Sequence, residues 1–265
     1  MLDKILKGAA PFAAMLLATG CNGMVNINGS DGVPLSELDI AGKTPTEVVL
    51  AGPDDVVVAR GEAFDISVTG DEPAIADLRF TLDDKTLGIM RENDSWRSAD
   101  GRATVRVTLP RVEKLVVAGS GTIEADLLEG NPEVTIAGSG TARTDRVEAG
   151  SLDVTIAGSG TYRAAGRAKS LDLNIAGSGN AEMGGLRVDV AEVTIAGSGD
   201  ADFASDGTVE AKIMGSGDVA VTGSARCTVS TMGSGTLTCT NGSAATGGNA
   251  PPPAAPEPRQ APQPQ

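Results

Sequence analysis

The residue types that usually carry catalysis or metal binding are scarce in this sequence. The chain of 265 residues contains no His, which excludes Ser-His and Cys-His nucleophile pairs and the usual His-containing zinc sites. Asp200 and Asp218 each follow a Gly-Ser-Gly triplet, as in stacked turns that bind calcium. Calcium needs six or more oxygen ligands, however, and the other triplets are followed by Thr or Asn. The sequence therefore favours turn-capping Asp side chains and predicts no metal site and no cofactor.

The Gly-Ser-Gly triplet is the dominant motif of the chain. No triplet leads into Gly-Lys-Ser or Gly-Lys-Thr, so none is a phosphate-binding loop. Successive triplets begin 18–20 residues apart, and a period this steady predicts a stacked repeat. We expect an all-β, right-handed parallel β-helix (solenoid) with three short strands per rung, 18–20 residues per rung and a triplet at each corner. The seven triplets begin at Gly119, Gly138, Gly158, Gly177, Gly197, Gly215 and Gly233.

The residues before each triplet alternate between apolar and polar side chains, which predicts a strand with one face in the core. Two positions before the triplet stand Val117, Ile136, Ile156, Ile175, Ile195, Ile213 and Thr231. Four positions before it stand Leu115, Val134, Val154, Leu173, Val193, Ala211 and Val229. Both columns are predicted to point inward.

The residues after each triplet predict a second strand whose inward columns mix large and small side chains. Tyr162 is predicted to lie between Ala142 and Ala181 of the neighbouring rungs, as a narrow close-packed core requires. Cys239 falls in one of these columns and Cys227 lies two residues before Val229. In an exported chain these two cysteines could form a disulfide. Two buried thiols that act as small apolar groups are the alternative.

The column between the two inward positions before each triplet is polar in six of seven rungs and is predicted to face solvent. Neighbouring strands are about 4.8 Å apart, so its members would form a ladder of small polar side chains. Such a ladder could contact an extended glycan or the sheet of another protein, although any solenoid must also present polar groups to water. The candidate binding residues are Thr135, Thr155, Asn174 and Thr194.

The N-terminus predicts export and a lipid anchor. Lys4 and Lys7 precede the short apolar run Ala9–Ala18, which is typical of a signal peptide. Leu17-Ala18-Thr19-Gly20-Cys21 resembles the lipobox of bacterial lipoproteins, with Ala18 where the motif usually has Leu. The resemblance implies acylation of Cys21 after removal of residues 1–20. Asn22 after the Cys suggests sorting to the outer membrane. An ordinary signal peptide with an unmodified Cys is the alternative.

Composition divides the remainder of the chain into four regions. Residues 21–45, rich in Gly, Asn, Ser and Asp, are predicted to be a flexible leash. Residues 46–114 are β-rich and predicted to form the first rungs or the cap of the solenoid, and residues 115–241 hold the Gly-Ser-Gly repeats. Residues 242–265 contain seven prolines and predict a disordered tail.

Two segments and the tandem triplets resemble the head GIN domain family, a family described as putative autotransporter adhesin heads. The segments are Val56–Gly70 and Leu78–Met90 with its Thr-Leu-Gly-Ile strand. The similarity extends over roughly residues 50–240. It implies a right-handed β-helix, an envelope location and no catalytic residues.

The net charge of the chain limits the classes of partner that it could bind. A formal charge of −14 argues against nucleic acid and against electrostatic docking on anionic lipid. We expect a non-catalytic envelope lipoprotein, attached to the membrane through its anchor, that binds a glycan or an envelope protein. A polysaccharide-acting, lyase-like enzyme is the alternative. It would need long loops around a cleft, for which rungs of 18–20 residues leave no room. Arg143, Arg146, Arg163, Arg167 and Arg187 are predicted to be exposed.

Overall fold

The computed structural model describes residues 31–92, 101–240 and 244–246, the last three as backbone only, and most of these residues lie in strands. The strands are Glu47–Gly52 (β1), Asp55–Arg60 (β2), Asp65–Gly70 (β3), Leu78–Leu82 (β4), Thr86–Arg91 (β5), Ala103–Leu109 (β6), Lys114–Gly119 (β7), Thr122–Gly130 (β8), Glu133–Gly138 (β9), Thr141–Gly158 (β10), Thr161–Gly177 (β11), Asn180–Gly197 (β12), Ala201–Gly215 (β13), Asp218–Thr222 (β14), Arg226–Gly233 (β15), Thr236–Thr240 (β16) and Ala244–Thr246 (β17). Leu35–Glu37 forms a 3-10 turn and Glu72–Asp77 (α1) a short α-helix. Within the described ranges no helix is long and apolar enough to cross a membrane.

The strands form two parallel ladders that run the length of a solenoid, so the predicted fold class is confirmed. The three separate short strands expected in each rung are replaced in β10 to β13 by one continuous strand. Ladder A stacks β5, β1, β7, β9, the second halves of β10 to β13, β15 and β17. Ladder B stacks β6, β2, β8, the first halves of β10 to β13, β14 and β16. Strands β10 to β13 turn the corner between the ladders without ending.

The rungs stack in the register that the repeat predicts. Ile156 pairs with Ile136 on one side and Ile175 on the other, and Gly158 pairs with Gly138 and Gly177. The two apolar columns before the triplets are buried through six rungs. In the last rung Val229 is only partly buried and Thr231 is exposed, because the short β17 pairs with Cys227–Val229 and does not reach Thr231.

The Gly-Ser-Gly corner brings the backbones of successive rungs into contact. The Ser159 N–H donates to the Gly138 carbonyl at 2.9 Å. Gly158 has a φ of +123°, and a Cβ atom there would lie 2.4 Å from that same carbonyl oxygen. A Cβ atom at Gly160 would lie 2.4 Å from Ile136 Cγ2. Both glycines are therefore required for close approach, and Gly158 also for its backbone angle.

The N-terminal rungs are not stacked in chain order. The β1–β2 rung lies between the β5–β6 rung, which follows it in sequence, and the β7–β8 rung. Strand β4 pairs antiparallel with β5, and β3 pairs antiparallel with β6. These two strands cover the outer edges of both ladders, so residues 46–114 supply both the first rungs and the cap.

A buried ion pair joins the first two rungs in space. The guanidinium of Arg91 donates to both carboxylate oxygens of Asp54 at 2.8 and 2.6 Å, and each side chain is 1% exposed. Asp54 also accepts the Ala103 N–H at 2.9 Å. Because a buried charge without its partner is strongly destabilising, this pair holds the end of β5 against the turn between β1 and β2.

The folded body extends beyond both boundaries expected from composition. The C-terminal part of the expected leash, residues 31–45, contacts the body. Val33 pairs with Phe80, and Leu35 and Leu38 pack against the core. At the other end Ala244 pairs with Cys227, within the expected tail. Isolated apolar residues in a Gly-rich or Ser-rich stretch have no periodicity, so the pattern of the sequence missed both contacts.

Candidate binding surface

The outward side of ladder A carries the predicted polar column. Thr155 pairs with Thr135 and Asn174, and Asn174 pairs with Thr194. The three Thr side chains are partly exposed and Asn174 is exposed. Neighbouring strands are about 4.8 Å apart. The four predicted residues therefore form one continuous row on a sheet whose opposite side is the core.

A column of stacked carboxylates runs beside the polar column, two residues earlier on each strand. In consecutive rungs each acidic residue pairs in register with the next. The column consists of Glu133, Asp153, Asp172, Glu192 and Glu210. Partial burial raises the pKa of Asp153, and the negative charges of Asp172 and Glu133 raise it further. Both effects favour the protonated form of Asp153 in the folded protein.

Side chains of the polar column donate to the acidic column. Asn174 Nδ2 lies 2.8 Å from Asp172 Oδ1 and Thr135 Oγ1 lies 3.3 Å from Glu133 Oε1. Lys212, the next member of the polar column after Thr194, lies 2.7 Å from Glu192 Oε1. We call the two columns together, from Glu133 and Thr135 to Glu192 and Thr194, the carboxylate–threonine strip.

The strip has defined limits along the solenoid. On the N-terminal side the polar residues end at Thr135, and Val116 and Val49 occupy the same position in the next two rungs. These valines are buried with Met90 and Ala51 in a small apolar cluster. Lys114 pairs with Glu133 at 2.9 Å and ends the acidic column on that side. On the C-terminal side Lys212 ends the polar column. The strip is thus a flat anionic surface of four rungs, bounded by a cation at each end.

The sequence pattern identified the polar column but not the acidic one. The signal was present, because the fifth position before five consecutive triplets is Asp or Glu. A single acidic position in each rung is read as an ordinary solvated residue. Only the parallel register places all five carboxylates side by side.

The two Asp residues considered for calcium bind the backbone of the next rung instead. Asp200 Oδ1 accepts the Asp218 N–H at 2.9 Å, and Asp218 Oδ1 accepts the Thr236 N–H at 3.0 Å. Asn180 Oδ1 begins the same series by accepting the Asp200 N–H at 3.2 Å. Each side chain continues the hydrogen-bonding of the corner. In the described part of the chain no group of three His, Cys, Asp or Glu residues could hold a metal ion.

The three cysteines have different situations. Cys227 and Cys239 are joined by a disulfide with their Cα atoms 6.7 Å apart. Cys227 is buried, and Cys239 is partly buried against the core. The bond connects β15 in ladder A to β16 in ladder B. Cys21 lies outside the described residues.

The five arginines noted in the sequence are all exposed. Arg143 lies beside Arg163, and Arg167 beside Arg187, on adjacent rungs. Arg143 pairs with Asp145 on its own strand at 3.0 Å, and Arg146 pairs with Glu148 at 3.3 Å. Pairs between neighbouring rungs join Arg163 to Glu182 at 2.7 Å and Arg187 to Asp206. Arg167 is exposed as well. Exposed ion pairs of this kind contribute little to the free energy of unfolding, and their charged groups keep the surface hydrated.

Comparisons with known proteins agree with this architecture. Residues 44–225 match the family model described as "Putative auto-transporter adhesin, head GIN domain". No curated protein matches the chain.

Solved structures of similar proteins show the same fold. A putative adhesin from Bacteroides fragilis is 20% identical, with a TM-score of 0.64, over 75% of this chain and 93% of that one. A putative lipid binding protein from Parabacteroides distasonis is 22% identical, with a TM-score of 0.58, over 75% and 93%. A putative adhesin from Parabacteroides merdae is 19% identical, with a TM-score of 0.58, over 76% and 97%. At these identities the likeness concerns the fold. Because the family model covers most of the chain, this protein belongs to the family of putative auto-transporter adhesins with a head GIN domain.

Proposed function

We propose that this protein is a non-catalytic, lipid-anchored binding module of the bacterial cell envelope, and that the carboxylate–threonine strip is its contact surface. The observation that carries the proposal is the register of the strip. Four consecutive rungs present a carboxylate and a small polar side chain at the same two positions. The core behind the strip holds these side chains in a fixed row, so binding would order few additional groups.

The chemistry of the strip favours a neutral, hydroxyl-rich ligand. Carboxylates such as Asp153 and Asp172 accept hydrogen bonds, and Thr hydroxyls both donate and accept. An extended glycan offers hydroxyl donors and acceptors along its length. An anionic polymer would be repelled by the stacked carboxylates. An envelope protein with a polar or basic sheet face is the other partner that this surface fits.

The arrangement of the other charged residues supports a binding role over catalysis. Four of the five arginines are paired with acids of their own or the next rung, and all five are exposed on the surface of the solenoid. A lyase-like site would need such groups to converge on a substrate within a cleft. The four rungs that carry the strip are uniform in length and hold no long insertion.

A surface that binds lipid chains would be broadly apolar, so the lipid-binding name of one structural relative is not the function we propose here. Among the described residues, the large apolar side chains that are exposed are Val190, Met214 and Met232. None of them lies in the carboxylate–threonine strip. We therefore propose that the protein contacts lipid only through the acyl chains attached to Cys21.

The anchor is tested by labelling with a clickable palmitate. Wild-type protein should take up the label, and Cys21→Ser should remove it and block normal processing. Wild-type protein that takes up no label would exclude the anchor. Fractionation of the labelled protein then tests the outer membrane, which Asn22 indicates.

The contact surface is tested by recovery of envelope partners. Thr155→Lys with Thr194→Lys adds bulk and positive charge to the strip without entering the core. Ala220→Lys with Thr222→Lys adds the same charge at exposed positions of β14 in ladder B. We expect the first variant to lose the glycans or proteins that wild type recovers, and the second to retain them. If the first variant folds normally and recovers the same partners, the strip is not the binding surface.

A further inference from the structure

The two ends of the solenoid are built differently. At the N-terminal end the antiparallel strands β4 and β3 cover the edges of β5 and β6. At the C-terminal end β16 pairs with β14 and β17 pairs with β15. Within the described residues no strand pairs with the far side of either one. The backbone of β16 therefore presents an open edge.

The last rung is also the least charged part of the surface. No charged residue occurs between Arg226 and Glu257, in a chain that is 21% charged. Apolar groups are exposed here as well. Met232 is 74% exposed and stacks in register on Met214, which is 47% exposed. Val229 and Leu237 are only partly buried. The C-terminal end thus combines an open strand with exposed apolar side chains.

The edge strand has none of the features that normally prevent strand pairing. Charged side chains, especially Lys, proline and bulges protect most natural edges. The sequence of β16 is Thr-Leu-Thr-Cys-Thr, which has high β-propensity and contains neither charge nor proline. The disulfide to Cys227 attaches this strand to ladder A. The edge is therefore preformed for association.

The Pro-rich tail of the same chain is poorly suited to cover this edge. Its seven prolines between Pro251 and Pro264 have no N–H to donate to a ladder. Only four residues, Gly247 to Ala250, separate β17 from the first proline. A capping strand such as β3 or β4 needs a longer run of donors.

A second copy of the chain fits the edge better. Two molecules with a net charge of −14 repel each other over most of their surfaces and least at an uncharged end. A twofold axis at this end would pair β16 with the partner's β16 in antiparallel fashion. We propose that two copies of the protein associate end to end through β16, with Met232 and Leu237 at the contact. This proposal is independent of the function of the carboxylate–threonine strip.

The test is sedimentation of the full chain carrying Cys21→Ser, which keeps the protein free of lipid. We expect a dimer that dissociates on dilution. Thr238→Lys with Thr240→Lys places two positive charges per copy on β16 and should weaken the dimer at least about tenfold, because the twofold axis brings the added Lys side chains of the two copies close together. Ala220→Lys with Thr222→Lys is the matched control, since the same columns are changed one rung further in. It should leave the dimer intact.

Three outcomes would overturn the proposal. The first is a monomer at every concentration, and the second is an equal loss of dimer in both Lys pairs. The third is a rise in association when residues 247–265 are deleted, which would identify the tail as the cover of this edge in the single chain. Far-UV circular dichroism and thermal unfolding of each variant verify that the rungs are folded.

Discussion

The hydroxyl of Tyr162 donates a hydrogen bond to Thr144 Oγ1 at 3.1 Å, inside the core and between adjacent rungs of ladder B. Both side chains are buried, and burial raises the pKa of Tyr162. Ala142 and Ala181, its partners in register, leave room for the ring. The hydroxyl of the only Tyr of the chain thus has a hydrogen-bond partner. That partner, Thr144, is the only polar residue in the first six rungs of the next inward column, which stands four positions after each triplet.

Removing either partner of this hydrogen bond should destabilise the protein. Tyr162→Phe and Thr144→Val each leave one buried hydroxyl without its partner, at a cost of about 1–3 kcal/mol. The double variant should cost less than the sum of the two, because no orphaned hydroxyl remains. Urea denaturation of the four proteins measures the coupling, and additive effects would show that the bond contributes nothing.

Because Ile156 points into the core and Thr155 points outward, substitutions at these adjacent residues should lower the free energy of unfolding by different amounts. Ile156→Ala and Ile175→Ala each leave a cavity in the middle of the core and should cost about 2–5 kcal/mol. Thr155→Ala on the outward side should cost under about 0.5 kcal/mol. The free energies of unfolding in denaturant compare them, and equal costs would contradict the assignment of faces.

The corner glycines should tolerate no side chain. Gly158→Ala combines a left-handed φ with a Cβ atom 2.4 Å from the Gly138 carbonyl oxygen. The strain alone costs about 1–3 kcal/mol, and the contact with the rung below adds to it. Ser159→Ala, the control at the next residue, keeps the N–H that bonds to Gly138 and should unfold like wild type. Thermal unfolding that does not distinguish the two would refute this account of the triplet.

The acidic column predicts a pH-dependent gain from removing one charge. The pKa of Asp153 is higher in the folded protein than its ordinary value of 3.8. The folded state is therefore favoured when Asp153 is protonated, and this contribution is lost as the pH rises through the folded-state pKa. Asp153→Asn should stabilise the protein near neutral pH by up to about 0.5 kcal/mol, and the advantage should vanish below pH 3.8.

Chemical denaturation at the two pH values checks this prediction. Asp126→Asn, an exposed carboxyl on β8, controls for the change in net charge. An advantage of Asp153→Asn that is independent of pH would argue against a raised pKa of Asp153 in the folded protein.

The disulfide predicts how the last rung responds to reduction. Mass measurement after alkylation without reductant should show neither Cys227 nor Cys239 labelled. Two labelled cysteines would exclude the bond in the isolated protein. Closing a loop of this size stabilises by roughly 2–3 kcal/mol. Replacement of both residues by Ala should therefore lower the free energy of unfolding, measured in denaturant with the thermal midpoint as a second readout.

The sequence by itself determined the solenoid and the orientation of its repeated side chains. A period of 18–20 residues repeats the same local choice in every rung, and alternation around Ile156 or Ile175 assigns each residue to one side of a strand. The columns of Thr135, Thr155, Asn174 and Thr194 follow directly, because parallel stacking places equal positions side by side. Repetition makes a distant contact readable as a local pattern.

Only the tertiary structure decided what does not repeat. The insertion of β1–β2 between β5–β6 and β7–β8 depends on pairing between segments far apart in sequence, such as Asp54 with Arg91. Neither residue stands out in its own segment, because a buried ion pair requires two partners that only folding brings together. The five stacked carboxylates, and the edge of β16 that no other described strand pairs with, have the same origin. Both features depend on whether the folded chain places another rung beside a given residue, and the residues around it in the sequence do not show this.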